Sequence, residues 1–558
     1  MVRYGVPAWA DPAMKNKINS RSATALLYHE QTKHHFQRYA RSAGSLDWAN
    51  QPNPFRFYDG VDLVQLPLLA TDPVGGHRAL YARDGNAFQE FTRSTIGAFL
   101  ELALGLSAWK SVPGSTWALR MNPSSGNLHP TEAHLILPVL PGVPGGIFHY
   151  NSYLHALEQR AAVPAPLGQQ IQMHLQAEGF LLALTSIFWR EAWKYGERAF
   201  RYCQHDIGHA LAGLSFSANL LGWQVTWLTA VADAEIAQLL GFDKTRWPEF
   251  ESEQPELLCF VHRSGSQQIP RDLPTEIIGA FSQLEFQGTP NQLSAAHLDW
   301  EVITQVAEAT TNVKKSPAPI RPPNCLPFYA SATESEIPAA QLIRQRRSAV
   351  AFDGVSCLPK LQFFALLDKT LPRADCAPFD LGLISASVHL LVFVHRVTGL
   401  EPGLYFWLRA DRDLPALQQQ CHRQFVWQRV DPGLPLYLLQ AGDFQSPALT
   451  VSCQQSIASD SAFAVGMIAR FRDSIEADSA RYRQLFWETG LIGQILYLEA
   501  EAQGLRGTGI GCFFDDPVHQ LLGLQDNTFQ SLYHFTVGGP LEDDRLLSDA
   551  YPHLEKAR

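Results

Sequence analysis

The spacing of apolar and polar positions changes period several times along this chain. Gly146–Tyr150 and Gly403–Trp407 alternate after a turn, the period of two that predicts a strand. His205–Leu221 carries small and apolar residues on every face, which predicts a buried helix, and Gly222 follows it as a helix C-cap would. Gln484–Gln503, closed by Gly504, has the same character. A further helix is predicted near Ser22–Ala43, ahead of a Pro/Asn/Asp-rich loop, and an amphipathic one over Ser294–Ala309. Ser316–Pro327 is Pro-rich and reads as a semi-rigid linker. Helix-rich segments with a few alternating strands predict an α+β layered fold.

The pattern also repeats. Pro123 matches Pro378 and His134 matches His389 at one offset of 255. Asp206, Gly208, Gly222 and Gly241 match Glu488, Gly490, Gly504 and Gly523 at one offset of 282. A constant offset over that length marks two diverged copies. The expected organisation is an N-terminal extension (1–75), a first domain (76–268), a helix and Pro-rich linker (269–340) and a second domain (341–558).

Composition narrows the class. At 558 residues the chain exceeds a single ordinary core. Apolar content of 46% with 18% charged residues is that of a globular protein. A net charge of -10 argues against nonspecific nucleic-acid binding, which needs a basic stripe. The 8 cysteines include no CxxC pair, so they read as reduced thiols of a cytoplasmic protein. No secretory h-region or membrane-spanning run is expected; the richest stretch, Leu381–Val394, is short and holds His389.

The chemistry concentrates in Asn122–Glu132, Asn-Pro-Ser-Ser-Gly-Asn-Leu-His-Pro-Thr-Glu. Pro fixes the backbone and Gly permits close approach of a ligand, while Ser124, Ser125 and Asn127 offer short polar groups. Such a set suits a flat, polyfunctional cofactor better than a metal, although a plain polar turn has the same composition. Arg346-x-Ser348 adds a planar cation and a hydroxyl fit for phosphate. The glycines of Gly507-Thr-Gly-Ile-Gly511 would let backbone N–H groups face a ligand.

Four segments together resemble the nitroreductase superfamily, and within it the SagB/ThcOx-type dehydrogenases. They are Tyr28–Lys33 with Leu46–Trp48 and Pro52–Phe55, Arg120–Glu132, Trp193-Lys-Tyr-Gly-Glu-Arg198 through His209, and Arg346-Arg-Ser348 with Ala351–Asp353. The resemblance implies an α+β fold whose two copies, normally two subunits, build an FMN site between them. It implies phosphate at Arg346 and Ser348, and the ring region lined by Arg120, Pro123, Ser124, Ser125 and Asn127. Gly507, Gly509 and Gly511 would face the flavin's carbonyl oxygens. The family usually has a second cation where Val350 stands, and Arg545 is the candidate replacement by analogy with its basic tail.

The copies carry complementary gaps. Pro378-Phe-Asp-Leu-Gly382 lacks the paired hydroxyls, the first copy lacks an Arg-x-Ser counterpart, and Val225-Thr-Trp-Leu-Thr229 replaces the Gly-rich segment. One composite FMN site per chain is therefore expected, in an internal pseudo-dimer.

Arg190, Lys194, Arg198 and Arg201 would share one helical face, either near an anion or simply solvated and softened by Glu191 and Glu197. The resemblance assigns a catalytic role to Lys194-Tyr195, with Lys194 taking a proton from a thiazoline or oxazoline ring as hydride leaves to FMN, and Tyr195 orienting the substrate or relaying that proton. The substrate is then peptide-borne or a small molecule, and partner enzymes of a peptide-modifying complex are conceivable. An NAD(P)H-dependent nitroreductase or quinone reductase and a flavin-poor scaffold are the competing readings. His29-Glu-Gln-Thr-Lys-His34 is rejected as a zinc motif because its histidines are spaced off one helical face. Gly507–Gly511 is rejected as a dinucleotide fingerprint because it follows a helix. Asp206 and His209 read as polar groups satisfied within a buried helix, and Trp223, Trp227 and Phe513 as core.

Overall fold

The computed structural model describes residues 20–83, 86–265, 268–313, 328–329, 335–382, 386–543 and 547–550. The Pro-rich stretch 316–327 and Arg545 lie outside them.

Two seven-stranded sheets dominate. In the first, six strands begin at Thr131, Gly146, Ala156, Gly179, Trp223 and Gln254; in the second, at Val388, Gly403, Leu436, Phe463, Arg506 and Phe529. Taken in chain order, the six stand 3-2-1-4-6-5 across both sheets, and every pairing is antiparallel. Shared order and direction are the structural form of the repeat. Each sheet takes a seventh strand at one edge, Leu63–Gln65 in the first and Gln428–Arg429 in the second.

Each copy contributes one 22-residue helix to the centre, α2 (Ala199–Leu220) and α3 (Arg481–Ala502), named here after the shorter α1 (Phe188–Tyr195). All residues of α2 are buried, as uniform small and apolar patterning requires. Gly222 and Gly504, with φ of 69° and 71°, terminate the pair as αL caps. The two helices cross at Gly208 and Gly490. A Cβ on Gly208 would stand 2.2 Å from the Trp487 carbonyl oxygen, and one on Gly490 would stand 2.3 Å from that of His205. The crossing is thus a self-contact of equivalent positions, as at the axis of a two-fold dimer.

The copies are also tied by their ends. Helix Ser20–Gln31 packs on Glu301–Ala309 and on Arg472–Ala477, with the Ser22 hydroxyl donating to the Ile475 carbonyl at 2.8 Å. Leu547–Ala550, at the far end of the chain, pairs with Leu106–Val112 of the first copy. Among the described residues no helix is long and apolar enough to cross a membrane.

Three local expectations change. The first helix stops at Gln31, well short of Ala43. The stretch Trp193–Tyr202 is not one helix: α1 ends at Tyr195, and Gly196 (φ 54°) breaks the axis before α2 begins. The Gly-rich segment is not a loop. Its first four residues lie in the edge strand β2 (Arg506–Ile510), the counterpart of β1 (Trp223–Trp227) in the first sheet.

Candidate active site

A cavity of about 440 Å³ opens where the copies meet, within the size range of a cofactor site. Residues 123–127 and Arg120 reach it from the first copy, and Arg346, Ser348, Gly509 and Gly511 from the second. Sequence positions more than 200 apart therefore share one wall.

The turn is held from beneath. Asp206 on α2 accepts from the Ser125 N–H (3.1 Å) and from the Ser125 hydroxyl (3.0 Å). Ser124 Oγ accepts from the His129 N–H at 2.8 Å, and Asn127 donates to the Ala118 carbonyl at 2.9 Å. Gly126, Asn127 and His129 all adopt positive φ, a strained run that these bonds maintain. The hydroxyls thus shape the turn as well as facing the cavity. Asp206, read from sequence as a polar group satisfied within its helix, is the anchor of this wall. Burial pushes its carboxyl up to about 7, against the hydrogen bonds from Ser124 and Ser125 and the charge of Arg120.

Gly126 makes room for the next group. A Cβ there would stand 2.6 Å from Tyr195 Oη and 3.2 Å from Lys194 Nζ, so both side chains meet over this glycine. Tyr195 lines the cavity, and burial with the nearby Glu191 raises its phenol well above the usual range. Glu191 is itself buried, neither carboxylate oxygen has a hydrogen-bond partner among the described residues, and burial followed by Asp206 raises its carboxyl strongly.

The shared cationic face does not survive. Arg190 pairs with Glu132 and donates to the His129 carbonyl at 2.6 Å. Arg198 and Arg201, on the far side of the helix break, share Asp515 at 3.1 and 2.8 Å. These guanidiniums are structural, Arg190 paired with Glu132 and the other two sharing Asp515, and only Lys194 turns toward the Gly126 turn.

On the other wall, Arg346 donates to the carbonyls of Met121 (3.1 Å) and Arg120 (3.1 Å), while its Nη1 has no partner among the described residues. Burial lowers its guanidinium below the usual range. Ser348 Oγ lies 2.9 Å from Tyr497 Oη, which accepts from the Gly509 N–H at 2.9 Å. Gly507 does not line the cavity; it forms a bridge with Ser348, and a Cβ there would strike Phe535 at 2.6 Å. Val350 borders the cavity as a largely exposed apolar residue. Two cations missed in the sequence stand on the lining, Arg347 and Lys110. Neither makes an ion pair among the described residues, and the Lys110 ammonium is lowered by burial and then by Arg347. Lys110 was invisible because it comes from a first-copy hairpin with no motif of its own.

The opposite junction is filled. Phe379–Leu381, the counterpart of the serine turn, packs on β1, and Arg271 donates to both Trp227 O (2.9 Å) and Leu381 O (3.2 Å). Asp380 pairs with Arg83 at 2.7 Å.

A model of the nitroreductase family matches residues 90–250 and 343–539, more than half of the chain. The chain belongs to the nitroreductase family. That is the family whose resemblance implies an FMN site between two copies. A protein of Methanocaldococcus jannaschii named as a nitroreductase is 26% identical over 122 residues, 21% of this chain. The chain spans 62% of the length of that relative. A structure described as a nitroreductase from Anabaena variabilis superposes with a TM-score of 0.65 at 22% identity, covering 93% of this chain and 99% of that one. That likeness shows the fold. The Escherichia coli microcin synthetase McbBCD overlaps 46% of this chain and 97% of its own at 17% identity, with a TM-score of 0.26, too low to carry an argument.

The cavity's own chemistry fits FMN. Arg346, Arg347 and Lys110 bring positive charge suited to a phosphate, with Glu501 near the two arginines and Glu542 and Asp543 near Lys110. Asn122 Oδ1 and Arg120 Nε, both buried, have no hydrogen-bond partner among the described residues. The Tyr202 and Tyr533 rings press against Gly511 and Gly509, where any Cβ would displace them.

Proposed function

We propose that this nitroreductase-family protein is an FMN-dependent dehydrogenase with one asymmetric cofactor site per chain, acting on thiazoline or oxazoline rings of a peptide or small molecule. The observation that supports the reading is the meeting of Lys194 Nζ and Tyr195 Oη over Gly126; Gly126 and Tyr195 line the composite cavity, and Lys194 reaches Gly126 without lining it. FMN, when bound, supplies the two-electron acceptor. Lys194 accepts the proton released from the ring carbon, a contribution of roughly 10²–10⁴-fold in rate. Tyr195, held neutral by its surroundings, orients the substrate by donating its hydroxyl. Arg346, Ser348, Arg347 and Lys110 bind the phosphate, with the two added cations replacing the charge absent at Val350. Arg120, Pro123, Ser124, Ser125, Asn127, Gly509 and Gly511 wall the ring region.

Anaerobic mixing of the yellow holoprotein with an azoline-bearing peptide tests the reading. Bleaching in wild type that Lys194→Ala abolishes, with flavin still bound, is the expected result. Full turnover by Lys194→Ala removes the proposed role. Bleaching by NADPH alone, with no response to the peptide, points to a nicotinamide-driven reductase instead. A flavin-to-protein ratio near one is expected, and a ratio near two refutes the single site.

A further inference from the structure

The fold brings together two cysteines that the sequence spacing kept apart. Cys512 directly follows Gly511 and lines the cofactor cavity. Cys453 comes from the segment between helices Gln445–Val451 and Ser456–Ser459. The Cys453 and Cys512 side chains interact with each other, and both residues are partly exposed.

The contact is built. Cys453 and Gln454 have φ of 53° and 59°, two successive non-glycine residues in the left-handed region. That conformation is disfavoured for any residue with a Cβ and persists only where the surroundings impose it. Here the two segments are stitched on both sides of the sulfurs. The Phe514 N–H donates to the Val451 carbonyl at 2.8 Å, and the Gln455 amide donates to the carbonyls of Ser452 (2.9 Å) and Cys512 (3.1 Å). Arg198, which donates to the Gly511 carbonyl at 3.2 Å, sets a fixed positive charge beside Cys512. Cys453 and then, against burial, Arg198 lower the Cys512 thiol below the usual range, whereas Cys512 and burial raise that of Cys453. Two thiols on segments stitched side by side, the Cys512 thiol the more acidic, are the reactant arrangement for disulfide chemistry.

We propose that Cys453 and Cys512 form a redox-active dithiol–disulfide pair that exchanges two electrons with the bound flavin. In the oxidising direction the Cys453 S–H bond breaks and an S–S bond forms. The electron pair and the Cys453 proton pass to oxidised flavin, which takes up the charge the Cys512 thiolate loses. The reverse direction reduces the disulfide at the expense of reduced flavin. The pair gives the chain a second two-electron store next to the cofactor. The proposal rests on FMN occupying this cavity, and the thiol chemistry is tested separately from it.

Holoprotein is oxidised with diamide, freed of reagent, and titrated anaerobically with dithionite while flavin absorbance and alkylatable thiols are followed. Wild type is expected to lose two hydrogens in a Cys453–Cys512 crosslinked peptide, read by mass. It should then take up two electrons more per flavin than Cys453→Ser, with both thiols recovered. Failure of diamide to crosslink the pair overturns the proposal whatever the flavin does. Crosslinking in wild type with an electron uptake equal to that of Cys453→Ser also overturns it, since the disulfide then does not communicate with the flavin. Mass mapping of wild type needs no variant to fold.

Discussion

Asp206→Asn isolates the group that anchors the serine turn. The carboxyl is buried and titrates at about 7, against 3.8 when exposed. Between those values the unfolded chain releases a proton that the folded chain keeps, so this group's contribution falls as pH rises. The contribution is complete below 3.8 and is lost as pH climbs through 7. At 1.36 kcal/mol per pH unit, the penalty grows by about 2.5 kcal/mol between pH 5 and pH 8, roughly 70-fold in the equilibrium constant. Asparagine keeps one acceptor for Ser125 and does not titrate, at a fixed cost of about 1 kcal/mol for the lost second acceptor. Urea unfolding of both proteins at pH 5 and pH 8, followed by tryptophan fluorescence, gives the comparison. The variant should gain about 2.5 kcal/mol on wild type over that interval. A wild-type-minus-variant difference that stays constant, or moves toward wild type, refutes the reasoning, because other buried groups cancel in it.

Gly208→Ala forces a Cβ against the fixed Trp487 carbonyl oxygen and should cost about 1–3 kcal/mol, with loss of flavin because both walls of the cavity ride on the crossing helices. A melting scan and a flavin spectrum check it, and an unchanged pair of readings counts against a packing role. Lys110→Ala and Arg347→Ala should each weaken FMN binding about tenfold and flatten its salt dependence, measured by fluorescence titration of apoprotein. Val350→Lys should tighten binding severalfold in the same titration, because it adds a cation to a lining that already seeks an anion. Gly509→Ala places a Cβ 1.9 Å from Tyr533 Oη and should abolish flavin retention in gel filtration.

The central helices, the repeat and the two sets of residues that meet at the cavity leave local marks in the sequence. Uniform burial writes itself into α2, and Gly222 and Gly504 close equivalent helices at equivalent places. The offset that linked Gly208 to Gly490 was a contact before it was seen as one. What the sequence could not show depends on three-dimensional partnership. The Arg190, Lys194, Arg198, Arg201 spacing looked like one stripe, but Gly196 divides it, and Glu132 and Asp515 draw the arginines inward. Lys110 and Arg347 matter only because a hairpin of one copy lies beside a helix end of the other. The cysteines looked scattered because their pairing is made by tertiary stitching, not by spacing.

The glycine crossing has a consequence for how this molecule can change. In a dimer of identical chains, any substitution at such a crossing arrives twice, once on each side of its own contact, and both sites inherit every change. Joining the copies in one chain ends that enforced symmetry. Gly208 and Gly490 still hold the axis, yet each half is free to drift alone. One junction has filled with Phe379, Leu381 and Arg271 while the other keeps its cavity. At the filled junction the second copy's Phe379–Leu381 turn packs as structure, while at the open one its Arg346, Ser348 and Gly509 line the cavity.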